Sequence, residues 1–203
     1  EIPLCPYDSC RLLAINLYGY VKNPFTKKAE FDFDLFKTHA KIAHRMMDDI
    51  IDLEIEKIDA ILEKINSDPE EEEVKLVERR LWEKIKEKAE QGRRTGIGIT
   101  AEGDMLAAMG LEYGSTEGID FSVNVHKTLA LAVYNSSVEL AIDRGAFPIY
   151  NTEKEQNNPF INRLKAEDPE MYDKMAVHGR RNIAMLTIAP TGSTSLLTQT
   201  TSG

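Results

Sequence analysis

Two short stretches of the sequence carry groups that can do chemistry. Cys10 supplies a thiol, and a thiol exchanges two electrons by making or breaking a disulfide. It heads the apolar run 11–18, where on spacing alone it reads as a small apolar core residue. The other cysteine, Cys5, lies in a loop bracketed by Pro3 and Pro6. Far along the chain, Ala189-Pro190-Thr191-Gly192-Ser193-Thr194 joins an apolar run to a helix-like stretch. Backbone N–H groups and hydroxyls converge there at the positive end of a helix, an arrangement that holds phosphate. The same residues also fit a plain helix cap by Thr191 or Ser193, and spacing leaves both readings open.

A third stretch, Thr95-Gly96-Ile97-Gly98-Ile99-Thr100-Ala101-Glu102-Gly103, follows a strand pattern and opens a helix, as a dinucleotide-binding turn does. Its third glycine comes two residues later than that turn requires, and no Lys-Ser/Thr follows to make a phosphate loop. Glycines also serve close packing without any ligand. A nucleotide- or dinucleotide-binding α/β module built on Gly96, Gly98 and Gly103 is the competing reading. His44, Asp48, Asp49 and Asp52 share one helix face at spacings of three and four. With no second cluster to complete a coordination sphere, they read as a solvated acidic face, and no metal is expected. Arg93-Arg94 and Arg180-Arg181 stand beside strand starts, where an anion, a cap or a salt bridge would each use them.

The elements that must position these groups alternate between strand and helix. Residues 11–18 form a short apolar run, broken by Asn23-Pro24. Asp32 or Asp34 can cap the helix that follows, whose stripe is Phe36, Ala40, Ala43, Met47 and Ile50. Ile51, Ile55, Ile58, Ile61, Leu62 and Ile65 continue the helical signal to Asp68-Pro69. Pro69 suits the first turn of another helix with Val74, Val77, Leu81 and Ile85 inward and Gly92 as its stop. Residues 52–92 therefore read as a charged helical hairpin in a solvated outer layer. A strand at 94–100, a helix at 102–109 closed by Gly110 and a helix at 122–144 ended by Gly145 come next. Residues 150–168 look polar and irregular, and 182–189 is a second buried-strand candidate. Strands alternating with long helices indicate an α/β fold.

The 203 residues suit one domain, and 25 basic against 34 acidic residues give a net charge of −9. That balance argues against coating nucleic acid, which needs a basic face. No stretch approaches 18 apolar residues, so no membrane helix is expected. Two cysteines exclude a disulfide scaffold or a four-cysteine zinc site, and the expected compartment is the cytoplasm. A start on Glu1-Ile2-Pro3 without Met, and an end at Ser202-Gly203, read as a piece of a longer polypeptide.

Taken together, three motifs carry a resemblance. Glu1-Ile2-Pro3-Leu4-Cys5-Pro6-Tyr7-Asp8-Ser9-Cys10-Arg11-Leu12-Leu13-Ala14-Ile15-Asn16-Leu17 resembles the segment after the radical cysteine of ribonucleotide reductase large chains. Arg93-Arg94-Thr95-Gly96-Ile97-Gly98-Ile99-Thr100 is similar to that family's strand entering its second half-barrel. Arg181-Asn182 and Ile188-Ala189-Pro190-Thr191-Gly192-Ser193-Thr194-Ser195 resemble its substrate-phosphate loop. The short interval from Glu1 to Cys10 is similar to the adenosylcobalamin-dependent class. Arg11, where an Asn is common, and Cys5, an extra thiol, depart from the family pattern.

The resemblance implies an α/β fold in which residues 1–203 supply the later half of a ten-stranded barrel, with the 52–92 hairpin inserted in one catalytic domain. It implies reduction of ribonucleotides, as diphosphates, by thiyl-radical chemistry. Glu1 would accept the 3′-hydroxyl proton, and Cys10, with a thiol outside this chain, would supply two electrons. Pro190, Thr191, Gly192, Ser193 and Thr194 would hold the substrate diphosphate. A thioredoxin-like or other dithiol reductant and a homodimeric full-length enzyme are the implied partners. The radical-bearing Asn-Pro-Cys-Gly of the family stands just before the position of Glu1, so the 203-residue chain by itself is expected to be inactive.

Overall fold

The computed structural model of the chain describes residues 4–202. At its centre two parallel strands, β1 (Arg11–Asn16) and β4 (Thr95–Thr100), pair with Leu12 opposite Gly96 and Ala14 opposite Gly98. Parallel neighbours need a long crossover. Here it runs through a small antiparallel pair, β2 (Val21–Lys22) and β3 (Glu30–Phe31), and then α1 (Phe33–Ser67) and α2 (Glu72–Gly92).

Side chains alternate across a strand, and this divides the sheet. Ile15, Ile97 and Ile99 join Phe36 and Met47 of α1, and Leu129 and Val133 of α4 (Thr116–Arg144), in one buried core. The opposite face carries Leu12, Ala14, Gly96 and Gly98, and Leu12 is 53% exposed there. The expected strand at 182–189 is a correction. Residues 183–187 follow the free edge of β4, with Thr95 N–H donating to Ala184 O (2.9 Å), Ile97 N–H to Met185 O (2.7 Å) and Thr187 N–H to Ile97 O (3.1 Å). They form a single parallel bridge, Ile97 to Leu186, and have β4 as their one strand neighbour among the described residues. The described residues are mostly helical with few strands, and they do not by themselves make a ten-stranded barrel.

Helix boundaries follow local chemistry. Asp32 starts α1 by accepting the Leu35 N–H at 3.0 Å. The helix runs unbroken for 35 residues and stops where Pro69 forces Asp68 into an extended conformation. The hairpin at 52–92 therefore shares its first arm with the core helix. Pro69 does not enter the second arm: α2 begins at Glu72 after Glu71, with Glu72 and Glu73 at its positive end. Gly110 and Gly145 close α3 (Glu102–Met109) and α4 at positive φ, as expected. Residues 150–168 are not irregular. Asn151, Asn158 and Asp168 cap α5 (Thr152–Glu155), α6 (Pro159–Glu167) and α7 (Pro169–His178). Ile161, Leu164, Met171 and Met175 bury one side of this run, a periodicity short enough to be hidden by the polar residues around it. No helix among the described residues is long and apolar enough to cross a membrane.

The acidic face expected at residues 44–52 is not solvated. Asp48 is fully buried, and its carboxylate meets Arg93 Nε (2.8 Å), Arg181 Nε (3.2 Å) and Arg144 Nη1 (3.4 Å), and accepts from Asn182 Nδ2 (2.9 Å). These cations hold its carboxyl below the usual range against the opposing effect of burial. One turn earlier, His44 bonds Ser136 Oγ through Nδ1 (3.0 Å), and its Nε2 is buried without a hydrogen-bond partner.

Burial pushes His44 down to about 4, although the Asp48 charge pulls the other way. The unfolded chain, with His44 near 6.5, therefore takes up this proton first as pH falls. The contribution of His44 to stability is fully present above about pH 6.5 and is lost between there and pH 4, about 3 kcal/mol in all. Amide exchange in α1 and α4, corrected for its intrinsic pH dependence, should show that acid loss, and His44→Gln should flatten it.

Candidate functional site

The face of the sheet that carries Leu12, Gly96 and Gly98 owes its shape to missing side chains. A Cβ on Gly98 would stand 2.1 Å from Thr187 O, so only glycine lets residues 183–187 lie this close to β4. Beyond Thr187 the chain passes Ala189 and Pro190, turns at Thr191 with φ 52°, and enters α8 (Gly192–Thr198). This brings residues 189–194 over Leu12, Leu13 and Ala14 of β1, enclosing a cleft of about 280 Å³. Thr191, the residue at the start of α8, makes no side-chain cap hydrogen bond to the helix. The N–H groups of Gly192, Ser193 and Thr194 begin the helix and have no acceptors within it. Gly192, Ser193 and Thr194 are exposed.

Cys10 stands immediately before β1, and strand alternation puts it on the face of Leu12 and Ala14. It is a half-buried free thiol, while Cys5 is exposed. Burial raises the Cys10 pKa, opposed by the Arg94 and Arg11 charges, so the resting group is the neutral thiol. Glu1 lies outside the described residues.

The strand starts are held by arginines, which answers what the paired basics do. Arg94 Nε meets the buried Asp8 carboxylate at 2.7 Å, two residues before Cys10. Arg11 grips Glu54 of α1 through Nε (2.5 Å) and Nη2 (2.7 Å) and donates to Arg94 O (3.2 Å). Arg180 is surrounded by Tyr134, Phe147 and Tyr150, pairs with Glu155, and donates to the Asn182 and Ile183 carbonyls. Sequence spacing gave no sign of Glu54 or Glu155, which are distant partners; Asp8, two residues before a thiol, was within reach.

The competing glycine-loop reading is corrected. Gly96 and Gly98 lie inside β4, not in a loop, and their register faces β1. The start of α3 is filled by the chain itself: Ala101 N–H donates to Thr201 O (2.9 Å), and Asp104 N–H to Thr201 Oγ1 (3.3 Å). Asp48, Asp49 and Asp52 bring carboxylate oxygens within 4.8 Å of one another, yet Arg144 Nη1 lies among all three, at 3.4, 2.8 and 3.7 Å. An arginine already supplies the cation there.

A family model described as the ribonucleotide reductase barrel domain matches residues 1–203. The chain is 28% identical over 203 residues to a vitamin B12-dependent ribonucleoside-diphosphate reductase of Mycobacterium tuberculosis, covering all of this chain and 22% of the relative. It is 29% identical over 198 residues to a reductase of the same name from Thermoplasma acidophilum, covering 97% of this chain and 20% of that one. A ribonucleoside-diphosphate reductase subunit alpha of Treponema pallidum is 27% identical over 114 residues, 55% of this chain and 14% of the relative. The chain thus spans about a fifth of the length of the curated relatives it matches over nearly all its residues.

Proposed function

Because the chain belongs to the ribonucleotide reductase barrel-domain family, we propose that it forms the substrate-phosphate and electron-donor side of a ribonucleoside-diphosphate reductase. The observation that carries this reading is the cleft in which residues 189–194 fold over β1 just beyond Cys10. In it the diphosphate takes the N–H groups of Gly192, Ser193 and Thr194 together with the hydroxyls of Thr191, Ser193 and Thr194, and Pro190 sets the turn. Two thiols, Cys10 and one outside this chain, become a disulfide. Their two electrons and two protons break the ribose C2′–O bond, put a hydrogen on C2′ and release the hydroxyl as water. Glu1 is the base for the 3′-hydroxyl in this scheme. The two described edges, on β1 and on residues 183–187, suit further strands of a ten-stranded barrel.

The names of the relatives support adenosylcobalamin as the cofactor of the whole enzyme. The cleft at residues 189–194 does not fit that group by itself. A cleft of about 280 Å³ lies near the lower bound of about 300–1,000 Å³ for small-ligand sites, too small for a corrin with its nucleoside. No step above is routed through it. A dithiol reductant, a homodimer and a cytoplasmic setting belong to the same reading.

The test is nucleotide affinity in the reductase that contains this chain. Ser193→Ala removes a hydroxyl donor to a charged group, worth about 1.5–3 kcal/mol, and should weaken ribonucleoside diphosphate binding roughly 10- to 150-fold. Gly192→Val is a companion, since a Cβ there meets no described atom within 4 Å apart from its chain neighbours and its own helix backbone, so the added bulk should crowd the anion. Normal binding by both variants would place the phosphate elsewhere.

A further inference from the structure

The turn at residues 190–194 is pinned from behind by a strap. α8 hangs between two left-handed residues, Thr191 (φ 52°) and Gln199 (φ 56°), after which the chain returns to the first turn of α3. Thr201 makes the junction. Its carbonyl accepts from Ala101 N–H and from Thr100 Oγ1, both at 2.9 Å. Asp104 Oδ2 accepts from Thr201 N–H at 2.7 Å and from Thr201 Oγ1 at 3.3 Å, and Asp104 N–H donates back to Thr201 Oγ1 at 3.3 Å. The strap lies close along the helix, for a Cβ on Gly103 would stand 3.3 Å from Thr201 Oγ1. In front of the turn, Thr187 N–H is bonded to Ile97 O. Both ends of the turn are therefore tied to one rigid unit, β4 with α3, and the carboxylate of Asp104 supplies the charge-assisted bond of the rear tie.

We infer that Asp104 is a positioning residue for the substrate diphosphate, acting through Thr201 on the turn at residues 190–194. The inference rests on the phosphate reading of that turn. Asp104 is not among the residues that line the cleft; its effect is on where the N–H groups point. Misplacement of a substrate-positioning group by about 1 Å can cost on the order of 100-fold. Loosening one of two ties should cost less, roughly tenfold.

Two readouts in the reductase that contains this chain test it. Asp104→Ala should speed amide exchange at residues 190–202 without nucleotide. It should also raise KM for the ribonucleoside diphosphate roughly tenfold while kcat stays within about twofold. Asp104→Asn keeps an acceptor for the Thr201 N–H and should recover most of both effects. Unchanged exchange in Asp104→Ala overturns the tie. Faster exchange with unchanged KM, while Ser193→Ala still raises KM, overturns the positioning role and leaves the phosphate site standing. If neither variant alters KM, the phosphate reading has failed and the inference falls with it.

Discussion

If Cys10 is the electron donor we propose, Cys10→Ser in the full-length protein should lose steady-state ribonucleotide reduction with a dithiol reductant, while Cys5→Ser should keep most of it. A serine cannot form the disulfide that balances reduction of the ribose, so no oxidised form exists for the reductant to restore. The structure separates the two thiols. Cys10 is half-buried beside the β1 face of the cleft, in a segment clamped by Arg94–Asp8 and Arg11–Glu54, whereas Cys5 is exposed. The neighbouring ion pairs stay in place when sulfur becomes oxygen, so binding of the nucleotide should survive. Full turnover in Cys10→Ser, measured with binding checked in parallel, removes Cys10 from the chemistry.

The second large effect is structural. Asp48→Ala leaves Arg93 (5% exposed) and its partners Arg144 and Arg181 facing a vacated, buried anion site. Removing one partner from a buried ionic cluster costs about 3–5 kcal/mol, because the charges left behind remain desolvated. The damage should reach the site, since Asp48 ties together Arg93 at the entry to β4 and Asn182 at the entry to residues 183–187. Amide exchange at residues 93–97 and 182–187 should accelerate together. Asp49→Ala, by contrast, removes a half-buried partner of Arg45 and Arg144 and should cost under about 1 kcal/mol. Equal effects for the two would mean that Asp48 is not the hub.

What the sequence revealed and what it hid follow from the range of the interactions. β1, β4, the caps at Asp32, Gly110 and Gly145, and the turn at Pro190-Thr191-Gly192 are set by neighbours within a few residues, and they lie where local patterns put them. Asp48 could not be read correctly from its own helix. Its spacing with Asp49 and Asp52 matches a solvated face, and only Arg93, Arg144, Arg181 and Asn182, some 45 to 134 residues away, show it to be buried. The glycines of β4 were ambiguous for a similar reason. A ligand turn and a close backbone approach both demand glycine, and the contact of Gly98 with Thr187 O decides for the second. The strap at Thr201 rests on a threonine and an aspartate 97 residues apart, with no motif to announce it.

The central claim is that the nucleotide phosphates sit on residues 190–194, over β1, and not at the glycines of β4. Hydrogen exchange of the intact reductase with and without ribonucleoside diphosphate tests this most directly, because the N–H groups of Gly192, Ser193 and Thr194 would become donors to the anion. Slower exchange confined to residues 190–195 and the β1 segment 10–14 is the expected result. Protection at the start of α3, with residues 190–195 unchanged, would contradict it.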